Sequence, residues 1–140
     1  MTEIIDNTQN CTRLGPDELK IALYRFTGTL HWYRHPINKN VVYTDGVKFF
    51  AENGGEHGAY WFIDKVATEI SPLLQRKKEY FAALALTVSS EQTARLRATD
   101  GNERCLVSAD IEYTDMQPGV WKFYLINDID HQTLLLPGEY

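Results

Sequence analysis

Cysteine is scarce in this 140-residue chain: there are two, Cys11 and Cys105, and no Cys-x-x-Cys spacing. That excludes a paired-cysteine zinc frame or a dithiol redox centre, and both residues are expected as free thiols of a reducing compartment. Long apolar runs are missing as well. The longest, over residues 80–86, falls far short of the roughly 20 residues that a helix needs to cross a bilayer. Positive charge is in deficit, with 14 Lys and Arg against 19 Asp and Glu and a formal net charge of -5, which opposes any general grip on nucleic acid or an anionic membrane. Residues 1–10 lack the basic patch and apolar stretch of a secretory signal, so the expected location is the cytoplasm. No phosphate loop, Gly-x-Gly-x-x-Gly, Gly-x-Ser-x-Gly or His-Glu-x-x-His occurs. No cofactor and no resident metal are therefore expected.

What is present is an ordinary globular composition, 44% hydrophobic and 24% charged, enough for one core. Residues 1–14 are polar and aperiodic, and read as a flexible leader before a single domain over 15–140. Gly15-Pro16-Asp17-Glu18 opens a helix with Leu19, Ala22, Leu23 and Phe26 on one face. A hairpin follows, its β-rich arms at residues 27–34 and 41–44 joined by six residues. Thr44 or Asp45 caps a short helix that ends at a glycine-rich segment expected as a flexible connector. In the next helix Ala59, Phe62, Ile63, Val66, Ala67 and Ile70 recur at three and four, and Ser71-Pro72 bends it. Arg76-Lys77-Lys78 suits that helix's C-terminal end.

The second half changes period. Alternation at Ala94, Leu96 and Ala98, and again from Cys105 to Tyr113, gives strands, as do residues 80–89, 120–126 and 133–136. Strands that follow one another through short turns pair antiparallel. The fold class is thus α+β: a curved, mostly antiparallel sheet of about five to seven strands with two or three helices on one face.

The densest chemistry lies in Leu30-His31-Trp32-Tyr33-Arg34-His35-Pro36. On a strand His31, Tyr33 and His35 point one way and Trp32 and Arg34 the other. In the bland reading both histidines sit at the rim and Trp32 is core or interface. The sharper one draws His31, His35, Asp45 and His57 into a cleft as weak catalytic candidates. Trp32, Tyr33 and Arg34, with Tyr60 and Trp61 of the next helix, form a candidate interaction surface, since Trp, Tyr and Arg dominate interface hot spots.

The run from Thr27 to Pro36, with Tyr43-Thr44-Asp45-Gly46-Val47, Ala59-Tyr60-Trp61, Asp64 and the ending Leu134-Leu135-Leu136-Pro137-Gly138-Glu139-Tyr140, resembles a domain-of-unknown-function family of small bacterial proteins, often met beside plasmid or other mobile-element genes. The resemblance implies a bacterial, cytoplasmic single-domain protein and carries over no catalytic residue. The expected function is that of a non-enzymatic accessory protein that contacts a protein partner or itself, possible homodimer included. A small metal-dependent or hydrolytic enzyme is the alternative. Single-stranded nucleic-acid binding is a second alternative, and would require Arg34, Arg95 and Arg97 on one surface with the aromatics.

Overall fold

The computed structural model describes residues 14–102, 104–128 and 130–140. The expected leader, Cys11 included, lies outside the described residues apart from Leu14.

Pro16 opens α1 (Pro16–Tyr24), where its missing N–H is no loss, and Glu18 Oε1 accepts the Gly15 N–H at 2.9 Å. Leu19 is fully buried, while Leu23 and Phe26 pack on the core's margin. The hairpin forms from β1 (Trp32–Arg34) and β2 (Val41–Thr44), in a register that sets Tyr33 against Tyr43. Thr44 then caps α2 (Asp45–Asn53), its Oγ1 accepting the Val47 N–H. The predicted apolar stripe is carried by α3 (Tyr60–Lys65) and a π-helical turn, Val66–Ile70, that runs into α4 (Ser71–Lys77). All six stripe residues are buried.

The bend expected at Ser71-Pro72 takes the form of that π turn, because Pro72 has no N–H to offer the preceding turn and the ladder shifts to accommodate it. Carbonyls along the widened stretch find donors outside the helix. Asn38 Nδ2 donates to Ala67 O at 2.8 Å and Gln132 Nε2 to Ser71 O at 3.2 Å, while the Ser71 hydroxyl donates to Gln132 Oε1. Arg76 and Lys77 occupy the last turn, as the helix dipole favours.

Five further strands lie among the described residues: β3 (Phe81–Val88), β4 (Ala94–Thr99), β5 (Cys105–Ile111), β6 (Gly119–Asn127) and β7 (Gln132–Leu135). The open sheet runs β1-β2-β7-β6-β3-β4-β5, antiparallel except for the β2–β7 pair. Alternation sends Ala82, Leu84, Leu86, Leu96, Phe123, Leu125 and Leu134 towards the helices. There Phe50 of α2 and Phe62 of α3 meet Phe123 at ring-centroid distances of 4.9 and 4.4 Å. The helices lie on this one face of the sheet. The C-terminal turn closes the hairpin side: the Glu139 carboxylate accepts from the Thr44 hydroxyl at 2.6 Å and from the Gly46 N–H at 3.1 Å, at the N-terminus of α2.

Candidate functional site

At the hairpin, one carboxylate organises the chain that precedes β1. Asp45, in the first turn of α2, accepts the backbone N–H groups of Leu30 at 3.0 Å and His31 at 3.3 Å through Oδ2, and the Tyr33 hydroxyl at 2.9 Å through Oδ1. These donors, the Leu30 N–H foremost, hold the Asp45 carboxyl below its ordinary range. The same bond to Asp45 raises the Tyr33 phenol. His31 Nδ1 stands 3.6 Å from Asp45 Oδ1 with its ring largely exposed.

The sign of the pH dependence follows. A carboxyl whose folded value is depressed contributes stability that is complete above the unfolded value and fades as pH falls through the folded one. Wild type is therefore expected to lose stability on acidification below about pH 4, where an unfolded aspartate takes up its proton. In Asp45→Asn that part of the acid limb should flatten. Urea titrations at pH 3 to 6 check this.

His35 differs from its neighbours and from the rim position expected of it. It is 1% exposed, because the six-residue loop folds over it. Nδ1 accepts the N–H groups of Ile37 at 3.2 Å and Asn38 at 3.0 Å, which places the ring proton on Nε2, and that atom donates to Asp64 Oδ1 of α3 at 2.8 Å. The imidazole thus ties the hairpin turn to α3.

His57 lies elsewhere, in the glycine-rich segment between α2 and α3. The four candidates therefore do not share one cleft: His31 adjoins Asp45, His35 pairs with Asp64, and His57 groups with Glu56 and Asp115. The segment itself is pinned, contrary to its reading as a flexible connector. Buried Gln117 accepts the Gly55 N–H through Oε1 at 2.8 Å and donates through Nε2 to Asn53 O and Leu14 O, and Asp115 Oδ2 accepts the Glu56 N–H at 2.9 Å. Gly55 adopts φ +68°, and a Cβ there would come within 2.2 Å of Asp115 Oδ1, so only glycine lets the carboxylate approach.

Glu56, Asp115 and Gln117 were not among the candidates drawn from the sequence. Their one signal is the tripeptide Tyr113-Thr114-Asp115, which repeats Tyr43-Thr44-Asp45. In both copies the threonine hydroxyl accepts a backbone N–H two or three residues on, and the aspartate accepts backbone N–H groups of a distant loop. Beside this cluster runs a groove of about 520 Å³ lined by His57, Tyr60, Trp61, Tyr113 and Asp115.

The interaction candidates divide between two surfaces. Tyr33 turns towards the helices and stacks on Tyr43 at 5.6 Å, while Lys48 Nζ lies 5.3 Å from the Tyr33 ring centroid. Trp32 and Arg34 take the opposite face, which none of the α-helices among the described residues covers, and Trp32 is 60% exposed. Leu30 and Ile37, on the same hairpin, are also exposed. Register places Arg95 and Arg97 of β4 on this uncovered face too, but β2, β7, β6 and β3 stand between them and Arg34, and Asp110 pairs with Arg95 at 2.8 Å. At about 4.8 Å per strand the basic residues are too far apart for one patch. Among the described residues no helix is long and apolar enough to cross a membrane.

Comparison with curated proteins and with solved structures finds no match. Residues 17–140, from the first turn of α1 to the C-terminal turn, match the sequence profile of a family of unknown function, DUF6876, and the chain belongs to that family.

Proposed function

We propose that this domain is a non-enzymatic interaction module that associates with a second copy of itself through the outer edge of β1. The observation that carries this is the exposure of Trp32 on a strand that, among the described residues, stands unpaired at the edge of the sheet. Hydrogen bonding explains why that edge is available. The His35 N–H donates to Val41 O, and antiparallel pairing alternates along a strand. Tyr33 and His35 therefore direct their backbone groups towards β2, and Trp32 and Arg34 direct theirs outwards.

Those two residues are self-complementary. Antiparallel pairing of two β1 edges about a twofold axis at Tyr33 sets Trp32 of each copy opposite Arg34 of the other, as an isologous contact requires. Arg34 Nη1 donates to Lys39 O, which holds the guanidinium beside the strand. An Arg–Trp pair at an exposed site is worth roughly 0.5–1 kcal/mol and occurs twice. A three-residue edge makes a small contact, in the class below about 1,200 Å² that binds weakly and exchanges fast. The family resemblance and the acidic composition support a bacterial cytoplasmic setting, with the module serving as an accessory protein of a mobile element.

Sedimentation velocity over a concentration series tests the association. Wild type should show a dimer fraction that rises with concentration. Trp32→Lys, which places on the edge the charge that natural edge strands use against pairing, should sediment as monomer with unchanged thermal stability. A wild type monomeric throughout, or a Trp32→Lys variant that dimerises equally, would sink the proposal.

A further inference from the structure

Independently of the β1 edge, the geometry points to a divalent transition-metal site formed by Glu56, His57 and Asp115 at the mouth of the Tyr60–Trp61–Tyr113 groove. One imidazole nitrogen and one oxygen from each carboxylate lie within 4.8 Å of one another. Ligand atoms held at about 2.0–2.2 Å from a shared ion are at most about 4.4 Å apart, so closure takes a shift of only a few tenths of an ångström. The side chains of Glu56 and His57 are exposed and able to make it.

The donor set selects the cation class. Carboxylates alone would suit the hard cations magnesium, calcium and manganese(II), whereas an imidazole beside them favours the borderline ions zinc, iron(II) and nickel(II). Two ligands come from adjacent residues of one loop and the third from a segment 58 residues further on. Buried Gln117 and the Asp115–Glu56 backbone bond hold these two segments together without a metal. Three protein ligands leave coordination positions for water or a ligand's own donor. The adjoining groove, walled by Tyr60, Trp61 and Tyr113, offers flat apolar surface to whatever occupies them. A small aromatic or heterocyclic anion, its charged donor on the metal and its ring in the groove, is the ligand class that fits.

Isothermal titration of the full chain with zinc chloride is the experiment, with magnesium chloride as the hard-cation control. Wild type should bind one zinc per chain and show no saturable magnesium uptake. His57→Ala and Glu56→Gln, both at exposed positions, should each weaken zinc binding by roughly 10–100-fold, the range typical of damage to a metal site. His131→Ala, outside the cluster, should leave binding unchanged. At one zinc concentration the melting temperature should rise more for wild type than for His57→Ala, since a ligand of the native state stabilises it by an amount that grows with the logarithm of its concentration relative to Kd. Zinc binding that survives His57→Ala undiminished, or no saturable zinc uptake by the folded wild type, overturns the site. Neither result bears on the sedimentation of the β1 edge.

Discussion

Phe50→Ala should destabilise the domain by about 3–5 kcal/mol, the range for truncating a large buried aromatic. The ring is fully buried and lies at the meeting point of both layers, with centroids 4.9 Å from Phe123, 5.6 Å from Phe62 and 5.9 Å from Trp121. Truncation opens a cavity that the sheet cannot fill, because β6 is held by neighbours on both sides. Against a stability of about 5–15 kcal/mol for an ordinary domain, a loss of that size leaves little margin. Urea unfolding followed by tryptophan fluorescence reads it directly. Phe49→Ala, next along α2 but only partly buried against Phe26, should cost clearly less, and equal costs would show that Phe50 is not the junction described.

His35→Ala should cost about 2–5 kcal/mol, an expectation that distinguishes a structural histidine from a reactive one. Removing the ring leaves the Ile37 and Asn38 N–H groups without an acceptor and Asp64 without its donor. The two N–H groups are part-buried, so leaving each unpaired costs up to roughly 1–3 kcal/mol, and the cavity left by the fully buried ring adds to that. The hairpin turn and α3 should loosen together, read as faster amide exchange at residues 37–41 and 60–64. His31→Ala, at an exposed ring, should stay within about 0.5 kcal/mol of wild type. If the two substitutions cost the same, the staple between hairpin and helix does not exist.

The contrast between these two histidines shows where sequence reading stops. Alternation along a strand correctly places His31, Tyr33 and His35 on one side and Trp32 with Arg34 on the other. It says nothing about which side is covered at each end. His35 is buried because the loop from Pro36 to Asn40 turns back over it, and His31 is exposed because Asp45 holds the chain before β1 out at the rim. Those outcomes depend on partners 14 to 29 residues away.

Much else was local and therefore legible. The stripe from Ala59 to Ile70, a cap at Thr44 or Asp45 that the structure assigns to Thr44, the break at Ser71-Pro72 and the alternating strands of the second half are set by period, capping and proline chemistry within a few residues. The mostly antiparallel sheet with helices on one face follows from strands joined by short turns. The parallel β2–β7 pair does not, since it joins segments about 90 residues apart.

The sites depended on the tertiary structure more than the fold did. Glu56 and Asp115 look like solvated acids in sequence, Gln117 looks like part of a Gln-Pro-Gly break, and the glycines before His57 look like slack. Folding brings β6 and the end of α2 together, which buries Gln117 and obliges its amide to find partners in the glycine loop. That requirement, absent in the extended chain, turns the loop into a fixed support for His57. Composition and periodicity determined the class of fold because they act through neighbours along the chain. Which polar groups meet was decided only when distant segments had to satisfy one another's hydrogen bonds away from water.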